Sequence, residues 1–343
     1  MKALVALVAI VLMACGAPGR AQVAPTAPAQ TTIPARSGDL VWGVNGHPTT
    51  AYGSVTLDEQ MAAVARLGTT HYRVGSRDDM MEGMLDAADR HGVTLLPIID
   101  PDIDFERDSA ERIRATAFNA ARTIVNRYKD RIHVWELGNE YEIFAIIQPC
   151  ETRDDGTKYP CEWGAAGGIS VSEYYGPRWE KVSAALKGMS EGVRAADPTA
   201  LRAVGTAGWG HIGAFERLKA DGVQWDISVW HMYRLAEDEW AFKTLAEYGK
   251  PIWVTEFSHP LGSQKGAEAQ ARGLRDTMVW LRTMRPYGVE AAFVYELLDE
   301  PYWSDFEGVM GLIHLEKNAR GEWVLGKDKP AFEAVRSTVA AGR

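Results

Sequence analysis

The chain has 343 residues, of which 46% are hydrophobic and 24% are charged, and it carries a formal net charge of −9. These proportions are typical of a globular protein with a large core, and the length suits either two ordinary domains or one α/β barrel. The acidic balance argues against a nucleic-acid partner, because binding a phosphate backbone requires a basic face.

The N-terminal stretch has the features of an export signal. Lys2 precedes an apolar run over residues 3–14, which is too short to span a bilayer but suits the core of a signal peptide. The run ends in Leu12-Met-Ala-Cys15-Gly16, which resembles the bacterial lipobox. This resemblance implies that residues 1–14 are a lipoprotein signal peptide, that Cys15 is lipidated, and that the protein is anchored in the bacterial cell envelope, in the periplasm or at the surface. A plain secretory signal with an incidental cysteine is the alternative.

Residues 15–37 are rich in alanine, proline, threonine and glutamine and show no apolar periodicity, so we expect a flexible tether there. Residues 38–343 then form the folded domain. Cys150 and Cys161 lie within it, and export to an oxidising compartment favours a disulfide between them. Zinc binding explains this pair less well, because the spacing does not match a zinc site and no histidine lies nearby in sequence.

From residue 40 onward, a short apolar run, a polar end and a helix-like stretch recur eight times. The apolar runs cover residues 40–45, 70–74, 93–99, 132–140, 201–206, 225–230, 251–256 and 290–295. The clearest helical stretches cover residues 57–67, 80–91, 109–128, 171–196, 267–284 and 330–341. This alternation predicts a parallel sheet with crossover helices, and eight such units fit a (β/α)8 TIM barrel. An open doubly wound sheet is the alternative, but Gly46-His47-Pro48 is not the glycine-rich turn typical of that fold.

In a barrel of this kind, the active site lies at the carboxyl ends of the strands. Glu140 ends the fourth apolar run and Glu256 ends the seventh, so the barrel would set their side chains facing each other across its mouth. Glycoside hydrolysis needs two such carboxyl groups, one kept protonated and the other ionised. Each glutamate taken alone is equally well explained as a solvated charge at the rim, and only the pair favours catalysis.

The sequence around the two glutamates resembles clan A glycoside hydrolases. The resemblance rests on Trp135-Glu-Leu-Gly-Asn139-Glu140 at the fourth strand and on Trp253-Val-Thr-Glu256-Phe at the seventh. Clan A enzymes are (β/α)8 barrels that cleave glycosides with retention, so the resemblance implies that Glu140 is the acid/base and Glu256 the nucleophile. It covers the domain from residue 40 onward and is closest to families 39 and 5. Some bacterial proteins that resemble family 39 cut exopolysaccharides in the periplasm.

The same resemblance implies roles for three neighbouring residues. Arg73 corresponds to an arginine near the nucleophile, Tyr233 to a tyrosine that hydrogen-bonds the nucleophile, and Asn139 to an asparagine that binds the sugar 2-hydroxyl. The implied partner is a β-linked oligosaccharide or polysaccharide, and the chemistry requires no cofactor and no metal. We expect a monomer whose contact with the membrane is the lipid anchor alone.

Five further residues near the strand ends are candidates for binding sugar. They are His47, His231 and Glu296, which can hydrogen-bond hydroxyls, and Trp209 and Trp303, which can stack on sugar rings. Each histidine is equally well explained as a hydrogen-bonded structural residue, and each tryptophan as part of the packing under a loop. Tyr295 competes with Trp303 for the aromatic position expected after the eighth strand.

Glu136 and the aspartates at 100–104 have structural explanations. Glu136 would point into the barrel, and we expect it to pair with an arginine because an unpaired buried carboxylate is costly. Asp100, Asp102 and Asp104 hint at a calcium site, but they lack the spacing of a known calcium loop. Ordinary loop polarity explains these aspartates better.

Two functional alternatives remain at this point. One is a surface lipoprotein that binds glycans on a barrel scaffold without cutting them. The other is a metal-dependent barrel hydrolase, although the strand ends lack a histidine pair at ligand spacing. The retaining mechanism itself predicts carboxyl groups about 5–5.5 Å apart, whereas inversion would need more than about 6.5 Å.

Overall fold

Eight parallel strands close into a barrel in this structure, a computed structural model that describes residues 39–48, 52–233 and 238–342. Each strand pairs with its neighbours in sequence, and the eighth returns to pair with the first in parallel, with Val41 opposite Ala291. This closure confirms the predicted (β/α)8 TIM barrel and excludes the open doubly wound sheet. The barrel strands are β1 (Val41–Asn45), β2 (His71–Gly75), β3 (Thr94–Ile99), β4 (Val134–Leu137), β5 (Leu201–Thr206), β6 (Ile227–Met232), β7 (Ile252–Phe257) and β8 (Val289–Val294).

A helix follows each barrel strand and lies outside the barrel. These are α1 (Leu57–Leu67), α2 (Asp78–His91), α3 (Ala110–Tyr128), α4 (Gly176–Ala196), α5 (Gly213–Ala220), α6 (Glu239–Ala246), α7 (Ala267–Thr283) and α8 (Pro330–Ala341). Local sequence explains several of the ends. Thr56 and Glu59 form a full capping box at α1, and the Ser109 hydroxyl accepts the Arg112 N–H at the start of α3.

Four strand tryptophans, Trp42, Trp135, Trp230 and Trp253, belong to the buried core. The guanidinium of Arg282 in α7 lies over the Trp42 ring, and Trp240 of α6 packs against Trp230, so these two side chains lie between the barrel sheet and the helices. Trp253 packs instead against Phe293 of β8.

Several element boundaries differ from the sequence expectation, among them both ends of β4 and the start of α2, and two of the differences have a clear local cause. Helix α4 starts at Gly176 rather than at residue 171, and a separate 3₁₀ helix covers Val171–Glu173. Pro177 lies in the first turn of α4, where its missing N–H removes no helical hydrogen bond, so this position favours a helix start. Strand β6 starts at Ile227 rather than at residue 225, because Asp226 is taken up by hydrogen bonds to Arg202.

The segment after β8 contains a hairpin that the sequence analysis did not predict. Strand β9 (Ile313–Lys317) pairs antiparallel with β10 (Trp323–Asp328), and the Asn318 side-chain oxygen accepts two backbone N–H groups in the turn between them. The hairpin lies outside the barrel sheet, so it does not change the fold class.

The long segment between β4 and α4 is ordered by a disulfide between Cys150 and Cys161, as predicted. Within it, a 3₁₀ helix covers Tyr141–Ala145 and directly follows the end of β4. The predicted signal peptide, the tether and Cys15 lie outside the described residues. Among the residues that are described, no helix has the length and apolar character needed to cross a bilayer.

Candidate active site

The two candidate catalytic glutamates lie at the same end of the barrel. Gly138 and Glu140 follow β4 with positive φ values of 69° and 55°, so the chain turns sharply as it leaves the strand. At Gly138 a Cβ would come within 2.9 Å of the Tyr141 ring, which leaves no space for a side chain there. Glu256 lies within β7 and is almost completely buried, whereas a quarter of the Glu140 side chain remains exposed.

The carboxylates of Glu140 and Glu256 are close neighbours. His231 lies beside both, with its Nδ1 atom 2.6 Å from Glu140 Oε1 and 3.4 Å from Glu256 Oε2. One oxygen of each carboxylate and one imidazole nitrogen all lie within 4.8 Å of one another. Two residues that are far apart in sequence are thereby brought to opposite sides of one small space.

Arg73 binds the nucleophile candidate and the structural glutamate together. Its Nε and Nη2 atoms each donate to Glu136 at 2.7 Å, and its Nη1 atom lies 2.5 Å from Glu256 Oε1. Burial raises the pKa of Glu136, but the guanidinium outweighs this effect and lowers the pKa to about 2. The expected pairing of Glu136 with an arginine is therefore present, and Arg73 supplies a fixed positive charge under the site.

Several groups favour the ionised form of Glu256. Burial would raise its pKa, but the charges of His231 and Arg73 and the hydroxyl of Tyr233, which donates to Oε2, together lower it. Asn139 lies in the same cluster, where its side-chain oxygen accepts from Arg73 Nη2 at 2.7 Å. The structure therefore brings together Glu140, Glu256, Arg73, Asn139, His231 and Tyr233.

His231 is fully enclosed beneath the two carboxylates. Burial lowers the pKa of its imidazole, but Glu256, Glu136 and Glu140 raise it to about 9. The Nε2 atom lies 3.1 Å from the Thr255 hydroxyl. His231 is therefore buried behind Glu140 and Glu256 and does not form part of the cavity wall.

A second histidine lies between two glutamates on the β1 and β8 side. His47 Nδ1 lies 2.7 Å from Glu300 Oε1 and 3.0 Å from Glu296 Oε2. Burial lowers the pKa of His47, but the hydrogen bonds to the two carboxylates raise it to about 10. Burial also raises the pKa of Glu296, to about 7, against the opposing effect of His47.

A cavity of about 740 Å³ opens above both glutamates. The sequence-predicted residues on its wall are His47, Arg73, Asn139, Glu140, Trp209, Tyr233 and Glu256. Tyr295 also lines the cavity, whereas Trp303 does not, although 53% of Trp303 is exposed and its indole N–H donates to Glu300. Glu296 has no exposed surface and lies behind His47. Trp209 presents an exposed ring to the cavity.

Sequence reasoning missed several residues of the site. Asn45 accepts from Arg73 and donates to the Thr255 carbonyl, and Glu300 holds His47. Glu307 and Phe306 line the cavity from the segment after β8. The position of Asn45 at the end of β1 was a usable signal, because strand ends face the site. Glu300, Phe306 and Glu307 lie on a long irregular segment, where the position of a residue in the sequence does not indicate where its side chain points.

Two groups of side chains in the described part of the chain have the spacing to hold a metal ion. One is Glu140, His231 and Glu256, and the other is His47, Glu296 and Glu300. In each group an imidazole already contacts both carboxylates at hydrogen-bonding or ion-pair distance. The aspartates at 100–104 form no such group: Asp104 caps the backbone N–H groups of residues 106 and 107, and Asp100 accepts from Tyr141.

Comparison with known sequences gives one family match. Residues 177–295 match the family described as "Glycosyl hydrolase catalytic core". This span covers about a third of the chain and includes Tyr233 and Glu256 but not Glu140. No curated protein matches the chain. The family match supports a glycoside hydrolase.

Solved structures with a similar fold are numerous. A family 1 β-glucosidase from Thermotoga maritima superposes with a TM-score of 0.62 at 12% identity, over 89% of this chain and 98% of that one. An endo-1,4-β-D-mannanase from Thermotoga petrophila gives a TM-score of 0.56 at 15% identity, over 88% and 99% of the two chains. A β-galactosidase from Halorubrum lacusprofundi gives 0.59 at 14% identity, over 87% of this chain and 57% of that one. Similarity at this level of identity shows the barrel fold alone.

Proposed function

We propose that this protein is a retaining glycoside hydrolase that cleaves a β-linked oligosaccharide or polysaccharide, with Glu140 as acid/base and Glu256 as nucleophile. The observation that carries the proposal is the close approach of the two carboxylates, within 4.8 Å between one oxygen of each, at the mouth of a closed barrel. Retaining enzymes hold their carboxyl groups about 5–5.5 Å apart, and inverting enzymes leave about 6.5–9.5 Å for a water molecule. The short separation favours retention.

The first step forms a covalent glycosyl enzyme. A carboxylate oxygen of Glu256 attacks the anomeric carbon, the glycosidic C–O bond breaks, and its electron pair goes to the departing oxygen, which takes a proton from Glu140. Arg73 and Tyr233 hold Glu256 in place, and with His231 they favour the ionised form that attacks. A carboxylate fixed at this position needs little rearrangement before it reacts.

The second step hydrolyses the intermediate. Glu140, now ionised, removes a proton from water; the water oxygen attacks the anomeric carbon, and the bond to Glu256 breaks. Glu140 suits this exchange because a quarter of its side chain is exposed, so water reaches it, whereas Glu256 is enclosed. The two glutamates thus have different access to solvent, which matches their different tasks.

The cavity supports an oligomeric substrate. Its volume of about 740 Å³ lies within the range of about 300–1,000 Å³ that is typical of sites for drug-sized ligands. We assign Trp209 to stacking on a sugar ring and His47 to a hydroxyl contact, since both line the cavity. Asn139 lies beside Arg73 and Glu140 and is assigned to the 2-hydroxyl. A relationship to families 39 and 5 within the clan is part of the same proposal.

Covalent trapping tests this assignment. A panel of 2,4-dinitrophenyl 2-deoxy-2-fluoro β-glycosides should inactivate the enzyme in a time-dependent manner, and mass spectrometry of the peptides should place the label on Glu256. The sugars that react would also narrow the substrate class. A label on another carboxylate would contradict the assignment of the nucleophile.

We also propose that the protein is a lipoprotein of the cell envelope anchored through Cys15. The lipobox-like sequence supports this, and the disulfide between Cys150 and Cys161 is in keeping with an oxidising compartment. Labelled palmitate should be incorporated by the full chain and not by the Cys15→Ala variant. Equal labelling of the two would contradict the anchor.

A further inference from the structure

One buried carboxylate near the active site has no role in the steps above. Glu142 lies two residues after Glu140, in the 3₁₀ helix Tyr141–Ala145, and only 2% of it is exposed. Its Oε1 atom accepts the Ala207 backbone N–H at 2.7 Å and lies 2.8 Å from His211 Nδ1. The side chain therefore links the segment that carries the acid/base to residues 207–211, the loop that follows β5.

Its second oxygen makes the position unusual. Glu142 Oε2 is buried and has no hydrogen-bond partner among the described residues. A buried carboxylate that is only half satisfied costs stability, so its presence needs an explanation beyond packing. The two contacts of Oε1, with Ala207 and His211, suggest what this role is, because both residues belong to the loop that carries Trp209.

The 207–211 loop is held in one conformation by its close contact with the end of β6. Gly208 and Trp209 have φ values of 74° and 58°, and a Cβ at Gly208 would lie 1.9 Å from the His231 carbonyl oxygen. The loop thus presses on the end of β6, and only glycine fits at Gly208. Positive φ at Trp209 is disfavoured for a bulky residue and persists only when its surroundings enforce it.

The disulfide-bonded segment braces the same loop from outside. The Gly168 carbonyl oxygen accepts the Gly213 N–H at 3.0 Å and the Tyr174 hydroxyl at 2.9 Å. A Cβ at Gly168 would come within 2.7 Å of the His211 ring, so the two chains are in close contact. Trp209 itself stays 53% exposed on the cavity wall. The loop is therefore fixed, and more than half of the Trp209 surface is exposed to the cavity.

The chemistry indicates which part of a substrate would meet Trp209. The acid/base must reach the glycosidic oxygen, so the departing sugar lies on the side of Glu140, at β4. Trp209 follows β5, the strand next to β4 in the barrel. We propose that Glu142 is a positioning residue that fixes Trp209 as the stacking platform for the departing sugar, and, in the reverse direction, for an acceptor. This inference rests on the proposed function.

The rate at which the trapped enzyme is reactivated tests the proposed role of Glu142 and Trp209 in binding the departing sugar. The 2-deoxy-2-fluoroglycosyl enzyme is first formed on Glu256 with whichever probe of the panel labels it, and excess reagent is removed. Reactivation is then followed in buffer alone, in buffer with cellobiose, and in buffer with benzyl 1-thio-β-D-glucopyranoside. Water alone needs no platform, whereas these acceptors must occupy the site of the departing sugar. Acceptors should speed wild-type reactivation in a saturable manner, and absence of any acceptor effect would overturn the inference.

Variants of Glu142 distinguish a role in positioning Trp209 from a general effect on the structure. Glu142→Ala should raise the half-saturating acceptor concentration by about five- to tenfold, the loss expected for one stacking contact, while leaving reactivation by water unchanged. Glu142→Gln keeps an acceptor for the Ala207 N–H and should recover most of the effect. Glu162→Gln, a change of the same kind at an exposed residue of the disulfide-bonded segment, should behave as wild type.

Trp209→Ala should show the same loss as Glu142→Ala, and the double variant should show no further loss, because the two changes act through one contact. If Glu142→Ala does not fold, His211→Ala removes one of the two contacts and should give the same phenotype. Wild-type acceptor dependence in folded Glu142→Ala, beside a loss in Trp209→Ala, would overturn the positioning role. A wild-type enzyme that forms no label on Glu256 would instead reject the proposed function itself.

Discussion

Two clusters at the mouth of the barrel share one arrangement and differ in one residue. In each, a histidine lies between two glutamates: His231 between Glu140 and Glu256, and His47 between Glu296 and Glu300. The first cluster adds the buried guanidinium of Arg73, whereas no arginine contact is seen at the second within the described chain.

The electrostatic outcome differs accordingly. The pKa of Glu256 is lowered despite burial, and that of Glu136, the other partner of Arg73, falls to about 2. The pKa of Glu296 instead rises to about 7, because burial outweighs the effect of His47. At Glu256 the charges of His231 and Arg73 act together against burial, whereas at Glu296 His47 is the charge that opposes burial. This contrast supports our proposal that the cluster with the arginine is the catalytic one.

The largest effect should come from the proposed nucleophile. Glu256→Gln keeps the shape of the side chain but removes the attacking charge, so kcat on an activated aryl β-glycoside should fall by about 10⁴-fold or more. Circular dichroism should show an unchanged fold. Glu296→Gln, the matched change in the other cluster, should retain most of the activity. Wild-type-like turnover by Glu256→Gln would reject the catalytic assignment.

The arginine should matter for stability as well as for rate. Arg73→Met leaves Glu136 buried without its partner, so the free energy of unfolding should fall by about 3–5 kcal/mol. Urea denaturation measures this loss. Arg66→Met is the control, because Arg66 forms an exposed ion pair with Asp328 and its loss should cost less than about 1 kcal/mol. Equal effects from the two variants would show that Arg73 has no special role.

The pH dependence of stability should have opposite signs in the two clusters. The pKa of Glu136 is lowered in the fold, so its contribution is present above its ordinary pKa and is lost as the pH falls toward 2. The pKa of Glu296 is raised, so its contribution is present at low pH and is lost as the pH rises through about 7.

Measured against wild type, Glu136→Gln should therefore be most destabilised near neutral pH, and the difference should shrink below pH 4.5. Glu296→Gln should gain relative stability between pH 4.5 and 7, by about 1–3 kcal/mol. Urea titrations at a series of pH values give both curves. Curves of the same sign would contradict the contrast between the clusters.

The smallest expected effect is that of metal removal. Both clusters have the spacing to hold an ion, but their hydrogen bonds and ion pairs already account for their close approach. Prolonged dialysis against EDTA should leave kcat within experimental error. A loss of activity that Zn²⁺ or Ca²⁺ restores would favour the metal-dependent alternative.

Much of this architecture could be predicted from the chain itself. Apolar runs alternating with amphipathic stretches indicate the barrel, and the polar residues that end those runs indicate which side chains face its mouth. Glu140 and Glu256 become neighbours because barrel closure brings β4 and β7 to face each other. The pairing of Glu136 with an arginine follows from the cost of burying a lone charge.

Other features arise from contacts between loops, which no local pattern records. His47 at the end of β1 meets Glu300 some 250 residues later, and Glu142 reaches across to the loop after β5. Glu296, a candidate for sugar binding, is fully buried behind His47 and does not reach the cavity. Such orientations depend on how irregular segments pack, which neither periodicity nor spacing determines.

The stereochemistry of the first-formed product tests the central claim most directly. An aryl β-glycoside of the sugar that labels Glu256 would be hydrolysed in a proton NMR tube, and the anomeric signals followed before mutarotation. Two carboxylates this close predict that the β-anomer appears first and the α-anomer only later. An α-anomer that appears first would show inversion and would contradict the double-displacement mechanism.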